Sequence, residues 1–219
     1  MQFINIHTHS DSYRENVTSI FNQYPLSFID NAHLFSIGIH PWYIDEVNFE
    51  KEMEIIEQKI QHPNCVAIGE CGLDKRRETP LDLQLKVFEK QLLLAQKHQL
   101  PVIIHCVAAF QELILLKKKL KITTPLVIHG FSKNIKLAQQ LIEEGFYISF
   151  GKYLVKNPEL ETVFTSIPEN RFFLETDTIE EEIEQVYLLA AKYKNIDVVT
   201  LQQIVTNNFN TVFKNGRMD

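Results

Sequence analysis

Five of the eight histidines follow directly on short apolar runs: His7 and His9 in "INIHTHS", His40 in "GIHPW", His105 in "PVIIH" and His129 in "VIHGF". Three acids stand in the same kind of place, Glu70 in "IGECGLD" and Glu175 and Asp177 in "LETDT". Neutral imidazole and carboxylate are the ligands of divalent transition metals, and a carboxylate can also act as a general base. Taken singly, a histidine at a strand end is more often a hydrogen-bonded structural residue. Together they converge if the runs are strands of one sheet, and a cluster of buried polar groups must then be compensated. Four histidines and two carboxylates exceed what one tetrahedral zinc takes. They suit two divalent ions roughly 3.5–4 Å apart with a carboxylate spanning them. Glu70 lies midway in the order, between the His7/His9 pair and His105 and His129, and is the natural bridge. Asp177 then completes the first ion's shell and faces the water.

The elements that must position these residues show in the hydrophobic pattern. Apolar runs at Phe3–Ile6, Val17–Phe21, Leu34–Ile39, Val66–Ile68, Val102–Ile104, Leu126–Ile128, Phe146–Phe150 and Phe172–Leu174 read as strands. Amphipathic stretches at Phe49–Ile60, Leu81–His98, Phe110–Leu120 and Ile135–Glu144 read as the helices between them, with Glu180–Lys194 and Val198–Phe213 closing the chain. Asn195 is placed as a C-terminal cap between those last two. Strands apolar on both faces and alternating with helices predict a parallel sheet. Eight such units in 219 residues predict a TIM-like (β/α)8 barrel, one domain over 1–219, trimmed between strands one and two. A doubly wound sheet is the alternative, but no glycine-rich phosphate loop follows the first strand. In a barrel the strand C-termini build the active face, where the histidines and acids fall.

Composition narrows the function classes. A net charge of −6 argues against a general nucleic-acid binder with a basic face. Two dications would bring that to about −2 and concentrate positive charge at the mouth. Cys65, Cys71 and Cys106 lack C-x-x-C spacing and read as buried thiols. With no signal peptide or apolar run long enough to cross a bilayer, the expectation is a cytoplasmic protein with no membrane and no obligate protein partner.

"HTHS", "GIHPW", "GECGLD", "PVIIH", "VIHGFSK" and "FFLETDT", in this order, resemble the TatD family of metal-dependent hydrolases in the amidohydrolase superfamily, as does the closing "TNNFNTVF". The resemblance implies a TIM-like barrel, two divalent metals and hydrolysis of DNA ends or related phosphoesters. It assigns His7, His9 and Asp177 to one metal, His105 and His129 to the other, and Glu70 to both. It points to magnesium, whereas imidazole-rich ligation favours zinc, manganese or iron on softness. The chain departs from the family pattern at "HCVAA", where Val107 replaces an arginine, at "HGFSK" and at Thr178, where a proline is usual. These changes leave the metal ligands intact and alter the substrate pocket.

The expected reaction is hydrolysis by a metal-activated water with Asp177 as general base. Around it, His40 is a candidate donor to substrate and Trp42 a candidate platform for a base. Lys75, Arg76 and Arg77 are candidate contacts to a nucleic-acid backbone. Two other classes stay open: hydrolysis of an amide or carboxyl ester on the same cage, and metal binding without catalysis. An intact Glu70 and Asp177 argue against the latter.

Overall fold

The computed structural model describes residues 2–10, 12–30 and 33–214. Its strands are β1 (Phe3–Thr8), β2 (Val17–Gln23), β3 (Leu34–Ile37), β4 (Cys65–Asp74), β5 (Val102–Val107), β6 (Leu126–Ile128), β7 (Tyr147–Phe150) and β8 (Phe172–Leu174). Between and after them run α1 (Phe49–Lys59), α2 (Leu81–Lys97), α3 (Phe110–Leu120), α4 (Ile135–Glu143), α5 (Lys152–Lys156), α6 (Leu160–Ser166), α7 (Ile183–Lys194) and α8 (Val198–Phe209). Eight parallel strands in sequential order and alternating with helices define the (β/α)8 class. No helix occurs among the described residues between β1 and β2, so the expected trimming is present. Two short helices, α5 and α6, occupy a stretch in which no helix was expected, because Pro158 and the short runs around it carry no sustained period. No described helix is long and apolar enough to cross a membrane.

Contacts divide the chain into two compact units, one of residues up to Phe21 with those from Val127 onward, the other Asn22–Leu126. In the first, β1 pairs with the start of β2, β6 with β7 and β7 with β8, all parallel. Its core holds a chain of edge-to-face aromatics, Phe131 on Phe150, Phe150 on Phe164 and Phe164 on Phe172, with centroids 5.8, 5.1 and 5.0 Å apart. The Tyr187 hydroxyl, buried on α7, accepts from the Ile4 amide and donates to the Ile4 carbonyl, both at 3.1 Å. Asn195 ends α7 in the left-handed conformation, as expected of a C-terminal cap.

In the second unit, β3, β4 and β5 pair in parallel. Helix α2 turns a buried stripe of Val87, Phe88, Leu92 and Ala95 inward, and Gln84 and Gln91 lie in the same stripe. Each glutamine acts as a substitute strand. Gln91 Oε1 accepts from the Ile39 amide at 2.7 Å and its Nε2 donates to the Ile39 carbonyl at 3.2 Å. Gln84 does the same for Asp74, at 2.7 and 3.0 Å. Gln23 does so for Ile29. Buried backbone groups beyond the ladders are thereby satisfied.

Candidate metal centre

In the first unit the site begins with a backbone join. The Asp177 amide donates to the His7 carbonyl at 3.0 Å, and the His9 amide donates to the Asp177 carbonyl at 3.2 Å. Thr8 and Asp177 thus form an isolated parallel bridge. Asp177 takes a left-handed φ of +54°, a conformation that costs an aspartate less than most residues. The join brings Asp177 Oδ1 to 3.8 Å from His7 Nε2 and 3.6 Å from His9 Nε2. The His129 ring lies 4.5 Å from that of His7, and one ligand atom each of His7, His129 and Asp177 falls within 4.8 Å of the others. His7 is fully buried, while His9 and Asp177 are partly exposed.

Glu175, two residues before Asp177, has no exposure. Its Oε1 accepts from the Gly130 amide at 2.7 Å and lies 3.5 Å from His129 Nδ1. Burial pushes its carboxyl up, but His129 and His7 outweigh that and hold it below the usual glutamate range. A polar cavity of about 200 Å³ opens beside Thr8 and Thr176, lined also by Ser10, Ser12 and Arg14. The Arg14 guanidinium is committed to Glu182 and Glu184.

In the second unit, β4 runs four residues past Glu70, so Glu70 stands within a strand instead of at its end. The pairing of β4 with β5 slips between Ile68 and Cys71, which re-aims the residues between them. Close approach to β5 needs glycine there: a Cβ at Gly69 would lie 2.5 Å from the Ile103 carbonyl oxygen, and one at Gly72 2.0 Å from that of His105. Off the regular ladder, the Glu70 amide donates to Asn22 Oδ1 at 2.7 Å. Its buried carboxylate Oε1 lies 3.1 Å from His40 Nε2 and 2.9 Å from His105 Nδ1. His40, Glu70 and His105 form a second group with ligand atoms within 4.8 Å of one another. His40, read from sequence as a donor to substrate, therefore stands with the ligands of its unit.

Asp74 is buried behind His105. Its Oδ2 accepts from the Trp42 indole at 2.7 Å and lies 3.5 Å from His105 Nε2, while its Oδ1 accepts from the Arg76 amide at 2.9 Å. Burial pushes its carboxyl up, but the Arg76 and Trp42 hydrogen bonds and the His105 ring outweigh that and lower it. The Arg77 guanidinium lies over the Trp42 ring at 3.5 Å. Trp42 is half-exposed and meets the His40 and His105 rings edge-on, at 4.9 and 5.5 Å. Lys75 is paired with Glu112 at 2.6 Å. The Arg76 side chain is exposed, with no hydrogen bond or ion pair among the described residues. The cysteines are free and buried, and burial raises the Cys71 thiol well above its usual value.

Each group offers only imidazole nitrogens and carboxylate oxygens, at a spacing close to that of ligands around a single divalent ion. The donor set fits metal binding. A family model described as TatD-related DNase matches residues 2–214. The chain belongs to that family. Among TatD relatives, it is 33% identical over 147 residues to the uncharacterized metal-dependent hydrolase YabD of Bacillus subtilis, a stretch covering 65% of this chain and 57% of YabD. It is 36% identical over 145 residues to the 3'-5' ssDNA/RNA exonuclease TatD of a Rahnella strain, covering 64% of this chain and 55% of that enzyme. The chain thus spans little more than half the length of these two relatives. The fold is shared with the TatD homologue YjjV of Escherichia coli, at a TM-score of 0.80 and 21% identity, covering 97% of this chain and 98% of YjjV. A TatD-family hydrolase from Entamoeba histolytica matches over the same shares at a TM-score of 0.79 and 21% identity.

The glutamines that hold Ile39 and Asp74 were not singled out by sequence reasoning. Their signal was there, as two polar residues one heptad apart on an otherwise apolar helix face. Asp74 gave a weaker one, an acid closing an apolar strand.

Proposed function

We propose that this TatD-family chain is a divalent-metal-dependent phosphoester hydrolase acting on nucleic-acid ends, an exonuclease on DNA. The observation that carries the reading is the pair of ligand groups, His7, His129 and Asp177 in one unit and His40, Glu70 and His105 in the other. His9, held 3.6 Å from Asp177, belongs with the first. Two divalent ions, magnesium, manganese or zinc, would be held by these residues, with Glu70 the carboxylate of the second group. Bound cations supply an acidified water and neutralise charge on the phosphoryl oxygens. Asp177 then serves as general base: it is the partly exposed acid of its group, fixed by two backbone hydrogen bonds, and can take a proton from water. Arg76 offers a free cation to the phosphate backbone, and Trp42 an aromatic face to a base. The name of the Rahnella relative supports a nucleic-acid substrate.

A second reading, hydrolysis of a smaller ester, is favoured by Val107, which ends β5 where the family usually places an arginine. One panel separates the two. The metal-reconstituted protein is assayed on single-stranded DNA, duplex DNA, RNA, a chromogenic phosphodiester, a phosphate monoester and a carboxyl ester, each with Mg²⁺, Mn²⁺ or Zn²⁺. Release of nucleotides from labelled DNA, lowered by about 10²–10⁴ in Asp177→Asn, is the expected result. Activity on small esters with none on DNA supports the second reading. Absence of metal binding up to millimolar concentrations overturns both.

A further inference from the structure

The second unit contains a carboxylate that the proposed reaction does not use. Asp74 is 3% exposed, and four neighbours fix its place. The Gln84 side chain holds its amide and carbonyl, the Arg76 amide holds Oδ1, and the Trp42 indole holds Oδ2. The remaining direction of Oδ2 leads to His105 Nε2 at 3.5 Å, while the opposite nitrogen of that ring, Nδ1, faces Glu70 at 2.9 Å. An imidazole that ligates a metal through one nitrogen carries its proton on the other. A carboxylate facing that second nitrogen selects the tautomer and fixes the ring plane.

We infer that Asp74 is a positioning residue for His105, holding the ring as the Nε2–H tautomer with Nδ1 turned to the ligand group, and that Trp42 and Arg77 hold Asp74 in that role. The inference rests on the reading of His105 as a metal ligand. Trp42 completes the arrangement because its indole N–H occupies the same Oδ2 that faces His105. Arg77 covers the outer face of the Trp42 ring at 3.5 Å, and its Nε lies 3.9 Å from Oδ2. The rim of the unit is thus tied to a ligand by one carboxylate. Trp42 is also the only tryptophan in the chain, so its fluorescence reports on this arrangement alone.

The test is a Mn²⁺ titration by calorimetry of the wild-type protein, Asp74→Asn, Trp42→Phe and His105→Ala, with melting curves for each. Asp74→Asn keeps the size of the side chain and an acceptor for the indole but removes the charge facing His105. The expected result is a loss of about 10- to 100-fold in Mn²⁺ affinity at one class of site, a smaller loss in Trp42→Phe, and a fall in kcat on a chromogenic diester with KM unchanged. In the wild type, Mn²⁺ addition alters Trp42 emission, and Asp74→Asn blunts that response. Wild-type affinity in Asp74→Asn, with affinity lost in His105→Ala, overturns the inference and leaves Asp74 a structural residue. Wild-type affinity in His105→Ala overturns the reading of His105 itself. If Asp74→Asn does not fold, Trp42→Phe decides: an unchanged affinity there counts against the inference.

Discussion

Gln91 offers a test of how the second unit holds His40 in place. Its side chain makes both backbone hydrogen bonds of Ile39, the residue before His40, and both Gln91 and Ile39 are buried. Replacing Gln91 with leucine keeps the volume and leaves the Ile39 amide and carbonyl without partners. Each orphaned buried group costs about 1–3 kcal/mol. The added apolar surface returns roughly 1–2 kcal/mol, so a net loss of about 2–4 kcal/mol is expected. For a chain of this size that lowers Tm by roughly 5–15 °C. Gln91→Glu refines the test. As a neutral acid it can both accept from the amide and donate to the carbonyl. As a carboxylate it can only accept, and it sits buried against a carbonyl oxygen, so its folded pKa is raised above the unfolded value of about 4.3. Its deficit relative to wild type is then small below about pH 4.3, grows as pH rises toward the folded pKa and is complete above it. Urea unfolding of wild type and both variants between pH 4 and 8 reads these differences. A Gln91→Leu variant within about 0.5 kcal/mol of wild type, or a pH-independent Gln91→Glu deficit, refutes the account.

Other predictions follow from single contacts. Tyr187→Phe strips the Ile4 amide and carbonyl of their buried partner and should destabilise the protein by about 2–4 kcal/mol, seen as a lower urea midpoint with unchanged m. Arg76→Ala should raise KM for single-stranded DNA about fivefold and reduce the slope of log KM against log salt by about 0.7, while KM for a small diester stays constant. Equal losses on both substrates would remove Arg76 from the backbone contacts. The Thr200 amide and hydroxyl hold the Asp197 carboxyl, the N-cap of α8, below its usual value. Its cap therefore contributes above the unfolded pKa of about 3.9 and fades as pH falls through the lower folded value. The Tm difference between wild type and Asp197→Ala should shrink below about pH 4 and stay level from pH 5 to 8.

Regular parts of the fold were legible because they depend on local period. Phe110–Leu120 is the helix its spacing predicts, and the strand beginning at Phe3 carries His7 and His9 to one side. What period could not reveal depended on irregular backbone. Val66–Ile68 looked like a complete strand because Gly69, Glu70 and Gly72 interrupt the apolar run, yet β4 continues to Asp74 around the slipped register. That slip turns Glu70 toward His40 and His105, a grouping no strand-end rule supplies. Asp177 was identified as a site residue, but its left-handed backbone and its join to β1 are tertiary facts. The same holds for Glu175, whose partner Gly130 lies 45 residues away.

The join between Thr8 and Asp177 also sets an order of assembly during synthesis. The second group is complete in sequence once His105 has been made, and its members lie within 65 residues of one another. The first needs His7 to wait for Asp177, 170 residues later. At translation rates of about 5–20 residues per second, that separation is roughly 10–30 s. Throughout that interval a nascent chain can present His40, Glu70 and His105 to a cation, while His7 and His9 lack the carboxylate that completes their set.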